Sequence, residues 1–180
     1  MPVFLSARMI CAAALPGRRM RLFGTRYNGG CSIDSSDPTM FTPSSDDVRR
    51  FFCDIHRKHH ANEILSPLEA IALDWIVQHP EYEADLADVE AALARDYAVE
   101  GGQANPFLHL SMHLTIAEQI AVDRPTGIRA ASQSLARRLD SEHAAHHQMM
   151  ECLGQMIWNS QRAGLPPDGA AYLECVRRGV

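Results

Sequence analysis

The sequence predicts an all-α fold, a single compact bundle of about six helices that follows a disordered N-terminal extension. Apolar residues recur at three- and four-residue spacing through most of the chain after residue 40. Helix-capping residues, twice followed by proline at the first helical position, precede several of these segments. No segment of four or more residues alternates apolar and polar side chains in the manner of a half-buried strand.

Local sequence signals predict the first three helices, and capping residues predict where the first two begin. Ser44 precedes two aspartates and a run of apolar residues at helical spacing, so a helix should begin there and end near residues 60–62. Ser66-Pro67-Leu68-Glu69 is a capping box for a second helix, which Pro80 closes. The acidic stretch at residues 81–90 predicts a solvated third helix, whose carboxylates form a wet face and are not expected to be ligands.

The rest of the chain predicts three further helices. Residues 107–122, after the cap Asn105 and Pro106, are apolar nearly all the way round, which is typical of a central helix. Apolar residues recur at helical spacing over residues 128–164, which are expected to form one long helix. Asp168 caps a short last helix over residues 169–178.

The charge distribution argues against nucleic-acid binding. The 180 residues are 46% hydrophobic and carry a net charge of −5. Residues 1–39 hold five arginines and two aspartates, whereas residues 40–180 hold 12 basic and 20 acidic side chains. An acidic body repels phosphate backbones. No run of 18 apolar residues occurs, so neither a spanning helix nor a membrane partner is expected.

Residues 1–39 differ in character from the remainder. Their short apolar run at residues 9–15 is followed by most of the arginines, which is the reverse of a secretory signal. We expect a disordered extension, or an upstream start with the true beginning at Met40, and a targeting peptide is the alternative. The helical domain would then span residues 40–180.

The five cysteines favour a reducing, cytoplasmic location. Their number is odd and no Cys-x-x-Cys pair occurs, which excludes a simple zinc ribbon or a thioredoxin motif. Three of them (Cys53, Cys152 and Cys175) lie among apolar neighbours in helical segments, where we expect small apolar side chains in a reducing compartment. The alternative to a small apolar side chain is that Cys152, five residues after His147, acts as a nucleophile.

Two pairs of histidines at i,i+4 spacing form the candidate site. His109 and His113 lie in the central helix, and His143 and His147 lie in the long one. Residues four apart share one face of a helix, so each pair can chelate one ion. Both pairs share their faces with apolar residues, and if the two helices pack together, the four imidazoles converge inside the bundle.

Other residues near the two pairs have different expected roles. Glu151, four residues after His147, is expected to be a fifth ligand or the acceptor of a histidine N–H. Gly154 on the same face would let another helix come close. His146 lies at the margin of the face that carries His143 and His147, and it is expected to be a bystander to the metal site. The four remaining histidines lie at predicted helix ends, where imidazole favours the C-terminal dipole: they are His56, His59, His60 and His79.

Both tryptophans, Trp75 and Trp158, fall at helical spacing and are expected to be core anchors. Trp75 continues the apolar stripe of the second predicted helix, and Trp158 lies near the end of the long one. Neither is expected to be a platform for a substrate.

Several motifs of the body carry a resemblance to a known family. They are the stretch from Met40 to residue 52, residues 65–70, His79-Pro80-Glu81-Tyr82, residues 105–110 and residues 142–154. In these segments, over about residues 40–178, the chain resembles an uncharacterised bacterial family, domain of unknown function 1841. The resemblance implies one unit of that length and no particular chemistry. The histidine layout is also similar in architecture to hemerythrin-like and other metal-carrying bundles.

Two functions stay open at this point. The first is a helical bundle with a histidine-rich divalent metal site, for zinc or iron, because imidazole-rich ligation suits those ions better than magnesium or calcium. The second is a non-enzymatic interaction or homodimerisation module whose histidines form a structural network. The sequence names no reaction, no substrate and no protein partner.

Overall fold

Helices make up the regular structure of the part of the chain that a computed structural model describes, residues 43–97 and 105–179. These residues form eight α-helices and one 3-10 turn and contain no strand, which confirms the predicted all-α class. The elements are α1 (Ser45–His60), α2 (Pro67–Val77), the 3-10 turn Pro80–Tyr82, α3 (Glu83–Leu86), α4 (Val89–Ala94), α5 (Pro106–Val122), α6 (Ile128–Leu139), α7 (Glu142–Ala163) and α8 (Gly169–Arg178). The expectations for residues 1–39 lie outside the described residues.

The predicted N-cap at Ser44 and the predicted capping box at Ser66 set the starts of the first two helices, and Ser44 also forms a capping box. The Ser44 side chain accepts a hydrogen bond from the Asp47 backbone N–H, and the Asp47 carboxylate accepts one from the Ser44 N–H. Ser66 and Glu69 make the same reciprocal pair at the start of α2. These bonds satisfy backbone donors that a helix end otherwise leaves without a partner.

Two of the predicted helices are divided in the structure. The long helix expected over residues 128–164 is two helices, because Asp140 adopts a left-handed conformation with φ of 51° and ends α6. Ser141 then caps α7 by accepting a hydrogen bond from the Ala144 N–H. The solvated helix expected at residues 81–90 is the 3-10 turn, α3 and the beginning of α4, which Asp88 caps.

Two clusters of buried apolar side chains form the core, and α5 contributes to both. The first joins α1–α4 to the N-terminal half of α5 through residues such as Phe52 and Leu110. The second joins the C-terminal half of α5 to α6, α7 and α8 through residues such as Ile116 and Tyr172. His113 lies on α5 between the two halves, so its side chain is placed where the clusters meet.

A disulfide links α7 to α8. Cys152 and Cys175 are bonded, with their Cα atoms 5.8 Å apart. The expectation that both act as unpaired small apolar side chains is therefore wrong, and the bond is at odds with a reducing compartment, since such bonds persist mainly under oxidising conditions. Cys53 fits the expectation, because it is a buried free thiol whose pKa burial raises to about 11.

The two tryptophans differ in exposure. Trp75 on α2 is 8% exposed and belongs to the first core cluster, as predicted. Trp158 on α7 is 55% exposed, so its predicted role as a core anchor is wrong. Across residues 43–97 and 105–179, no helix is both long and apolar enough to cross a membrane.

Candidate metal centre

A histidine outside the two predicted pairs, His79, lies at the centre of the site. It precedes the 3-10 turn and its side chain is buried. Its Nε2 atom is 2.8 Å from Nε2 of His113, 3.1 Å from Nε2 of His143 and 3.3 Å from Nε2 of His109. This loop residue thus joins the histidines of α5 to those of α7. We call His79, His109, His113, His143 and His147 the histidine cluster.

Glu81 fixes the proton on the central ring. Its carboxylate lies 2.7 Å from Nδ1 of His79. A carboxylate only accepts, so Nδ1 carries a proton, and Nε2 is then the atom that presents a lone pair in the neutral form of the ring. Burial by itself would raise the pKa of Glu81, but the hydrogen bonds from His79 and from the backbone, together with the nearby histidines, outweigh it and the pKa is lowered. Carboxylate–histidine pairs of this kind orient the ligands of metal sites.

His147 contributes a buried nitrogen that has no hydrogen-bond partner. Among the described residues, Nε2 of His147 is the one buried side-chain nitrogen or oxygen that has no hydrogen-bond partner. One nitrogen from each of His79, His113, His143 and His147 lies within 4.8 Å of the others. Nitrogens bound tetrahedrally at 2.0–2.1 Å from zinc would be about 3.3 Å apart. The distances from His79 to His113 and to His143 are close to that value, and His147 adds a nitrogen without a partner, so the cluster suits one ion.

Burial favours the neutral form of four imidazoles of the cluster, those of His109, His113, His143 and His147. It lowers the pKa of His109 to about 4, with a further contribution from nearby His79. Burial likewise lowers the pKa of His113, and to a smaller degree those of His143 and His147. Neutral imidazole is the form that binds a metal, so at neutral pH the rings need not release protons before binding.

His146 and Trp75 hold the ring of His113 in place. Trp75 stacks on His113 and on His146, with ring centroids 4.1 Å away in each case. The Nδ1 atoms of His113 and His146 are 3.5 Å apart. His146 is buried and lies outside the group of converging nitrogens, as expected of a bystander, but it packs against both the tryptophan and a cluster ring.

Glu151 lies in a groove beside the cluster, away from the four converging nitrogens. The groove has a volume of about 530 Å³ and is lined in part by His109, His147, Glu151, Gly154 and Trp158. In the described part of the chain no hydrogen bond joins Glu151 to an imidazole, and Glu81 occupies the acceptor role expected of it. A Cβ added at Gly154 would meet nothing within 4 Å, so Gly154 faces open space and the close helix contact expected there is not formed among the described residues.

Spacing along helices identified four members of the cluster and missed the fifth. His79 and its partner Glu81 lie in a loop and a 3-10 turn, where no helical period applies. The one sequence signal that includes them is the motif His79-Pro80-Glu81-Tyr82, which carries part of the family resemblance.

A family model described as Domain of unknown function (DUF1841) matches residues 44–178. The chain belongs to the DUF1841 family. The resemblance stated from the motifs is thereby confirmed, and the matched region of this DUF1841 protein contains the whole histidine cluster. No curated protein and no solved structure matches the chain.

Proposed function

We propose that this DUF1841 protein binds one divalent transition-metal ion, zinc or iron, at the histidine cluster. The ligands would be His79, His113, His143 and His147. The observation that carries the proposal is the Nε2 atom of His79, which lies 2.8 Å from Nε2 of His113 and 3.1 Å from Nε2 of His143, while Glu81 accepts the proton on its Nδ1. The unpartnered nitrogen of His147 supports it.

Hydrogen bonds alone account poorly for this arrangement. The single lone pair on Nε2 of His79 can accept one good N–H···N bond, yet three nitrogens crowd around it. An unsatisfied buried polar atom costs about 1–3 kcal/mol. An ion would collect lone pairs from several rings at once and convert that cost into binding free energy.

The ligand chemistry selects the class of ion. Imidazole nitrogens suit zinc and iron, whereas calcium and magnesium require mostly oxygen ligands. His109 and His147 also line the groove, which brings one side of the cluster near solvent. A coordination position open on that side would support metal-activated water, the chemistry expected of an incompletely closed site.

Metal analysis of full-length protein purified without an affinity tag tests the proposal. The protein is stripped with a chelator and titrated with Zn²⁺ or with Fe²⁺ under anaerobic conditions. We expect His143→Ala to weaken binding at the cluster at least tenfold, because a ligand is removed. His59→Ala, which removes an exposed histidine outside the cluster, should leave that binding unchanged.

Two results together would contradict the proposal: no metal in the purified protein, and no rise in Tm with either ion. The histidines would then be a structural network, as the interaction-module alternative requires. That alternative also predicts that His113→Ala lowers stability without any loss of bound metal.

A further inference from the structure

A second group of ligand side chains lies outside the histidine cluster, on α1 and α3. His56 and His60 are four residues apart in the last turns of α1, and Glu83 is the first residue of α3. Nε2 of His56 is 3.1 Å from Nε2 of His60. Oε1 of Glu83 is 2.9 Å from the first nitrogen and 3.2 Å from the second. We call these three residues the outer triangle.

Hydrogen bonding cannot satisfy all three sides of the outer triangle. If both Nε2 atoms carry protons, both donate to Glu83 and the two N–H groups face each other. If one Nε2 of His56 or His60 lacks its proton, its lone pair faces the carboxylate oxygen. With Glu83 ionised, at most two sides are favourable in every protonation state of the two histidines. A cation in contact with all three atoms would be attracted by each of them.

The dimensions of the outer triangle match one face of a metal coordination shell. Ligand atoms bound tetrahedrally at 2.0–2.1 Å are about 3.3 Å apart, close to its three sides. His60 is also the last residue of α1, where the negative end of the helix dipole favours a cation.

We propose that His56, His60 and Glu83 form a second divalent-metal site, of the two-histidine, one-carboxylate class, for zinc or ferrous iron. This proposal does not rest on the buried cluster, because the two sites share no ligand. The side chain of His56 is 9% exposed and anchors the site, while those of His60 and Glu83 are 59% and 58% exposed. Three protein ligands on an open surface leave positions for water or for a small ligand, as in catalytic zinc sites and facial-triad iron sites.

One short segment connects the two sites. His79 and Glu81 serve the buried cluster, and Glu83 follows two residues later in the outer triangle. An ion bound at either site would restrict residues 79–83. Each ion should therefore change the affinity for the other by the same factor, since linkage between sites is reciprocal.

Counting bound ions in chelator-stripped, full-length, untagged protein tests the outer site, with Co²⁺ alone and Zn²⁺ alone as probes. Equilibrium dialysis should give two ions per chain for the wild type. His60→Ala and Glu83→Gln should each weaken the outer ion at least tenfold and leave one ion bound tightly. His59→Ala removes the neighbouring exposed histidine and should still bind two, whereas His143→Ala should retain the outer ion.

Equal ion counts and affinities for His60→Ala, Glu83→Gln and His59→Ala would overturn the outer site. If the wild type binds one ion and His143→Ala binds none, the outer site would also be contradicted and the buried site would be supported. If the wild type binds one ion and only His60→Ala and Glu83→Gln lose it, the outer site would be supported and the buried site would be contradicted. Because His60 and Glu83 are exposed, circular dichroism should show unchanged helix content in these variants.

Discussion

Replacing His147 by leucine should make the metal-free protein more stable and the metal-bound protein less stable. In the metal-free form Nε2 of His147 is buried without a partner, which costs about 1–3 kcal/mol, and an apolar side chain of similar size removes that cost. Each 1 kcal/mol corresponds to roughly 2–4 °C in Tm for a chain of this length. With metal, the wild type gains about 2.7 kcal/mol at a free concentration 100 times Kd, and the variant loses most of that gain.

The assay is urea unfolding of both proteins, stripped and with Zn²⁺ at a fixed excess. His143→Leu is the matched control, one turn away on α7, because its Nε2 contacts His79 and the substitution breaks that contact. The control should therefore be less stable than the wild type with and without metal. A stripped His147→Leu protein that is less stable than the stripped wild type, with an unchanged response to Zn²⁺, would refute the reasoning.

Three further outcomes are expected from urea unfolding. Burial and the neighbouring His79 lower the pKa of His109 to about 4, so between pH 6.5 and 4 the unfolded chain binds protons that the native chain does not. The stripped protein should therefore lose stability as the pH falls from about 7 to about 5, and constant stability over that range would contradict this expectation. Gly154→Ala should stabilise α7 by about 0.5–1 kcal/mol, since the added methyl meets no atom, and a lower midpoint would show a contact at that position. Reducing the Cys152–Cys175 bond, with a sequence separation of 23, should cost about 3 kcal/mol, and an unchanged midpoint under reductant would contradict that value.

Local sequence signals predicted the helices well where a side chain acts on its own backbone. Ser44, Ser66 and Asn105 cap α1, α2 and α5 as expected. The same kind of signal was present at Asp140 and Ser141, but the apolar spacing on both sides of them favoured one continuous helix. The structure shows that the left-handed residue and the serine cap outweigh that spacing.

Spacing along single helices limited what could be predicted of the site. His109 and His113 share a face of α5 because residues four apart always do, and the same holds for the pair on α7. The outer triangle was missed although His56 and His60 have that spacing, because both lie in the last turns of a helix, where the dipole already explains a histidine. Its third member, Glu83, comes from an acidic stretch interpreted as solvated surface.

The amino-acid sequence by itself determined the all-α class, the caps and the two histidine pairs, because each depends on contacts within a few residues along the chain. Tertiary structure alone decided that His79 and Glu81 complete the buried cluster, that Cys152 bonds Cys175, and that Glu151 faces a groove. These facts depend on the packing of α2, α5, α7 and α8 against one another. Helical periodicity specifies which face a residue occupies, but it carries no information about which distant segment covers that face.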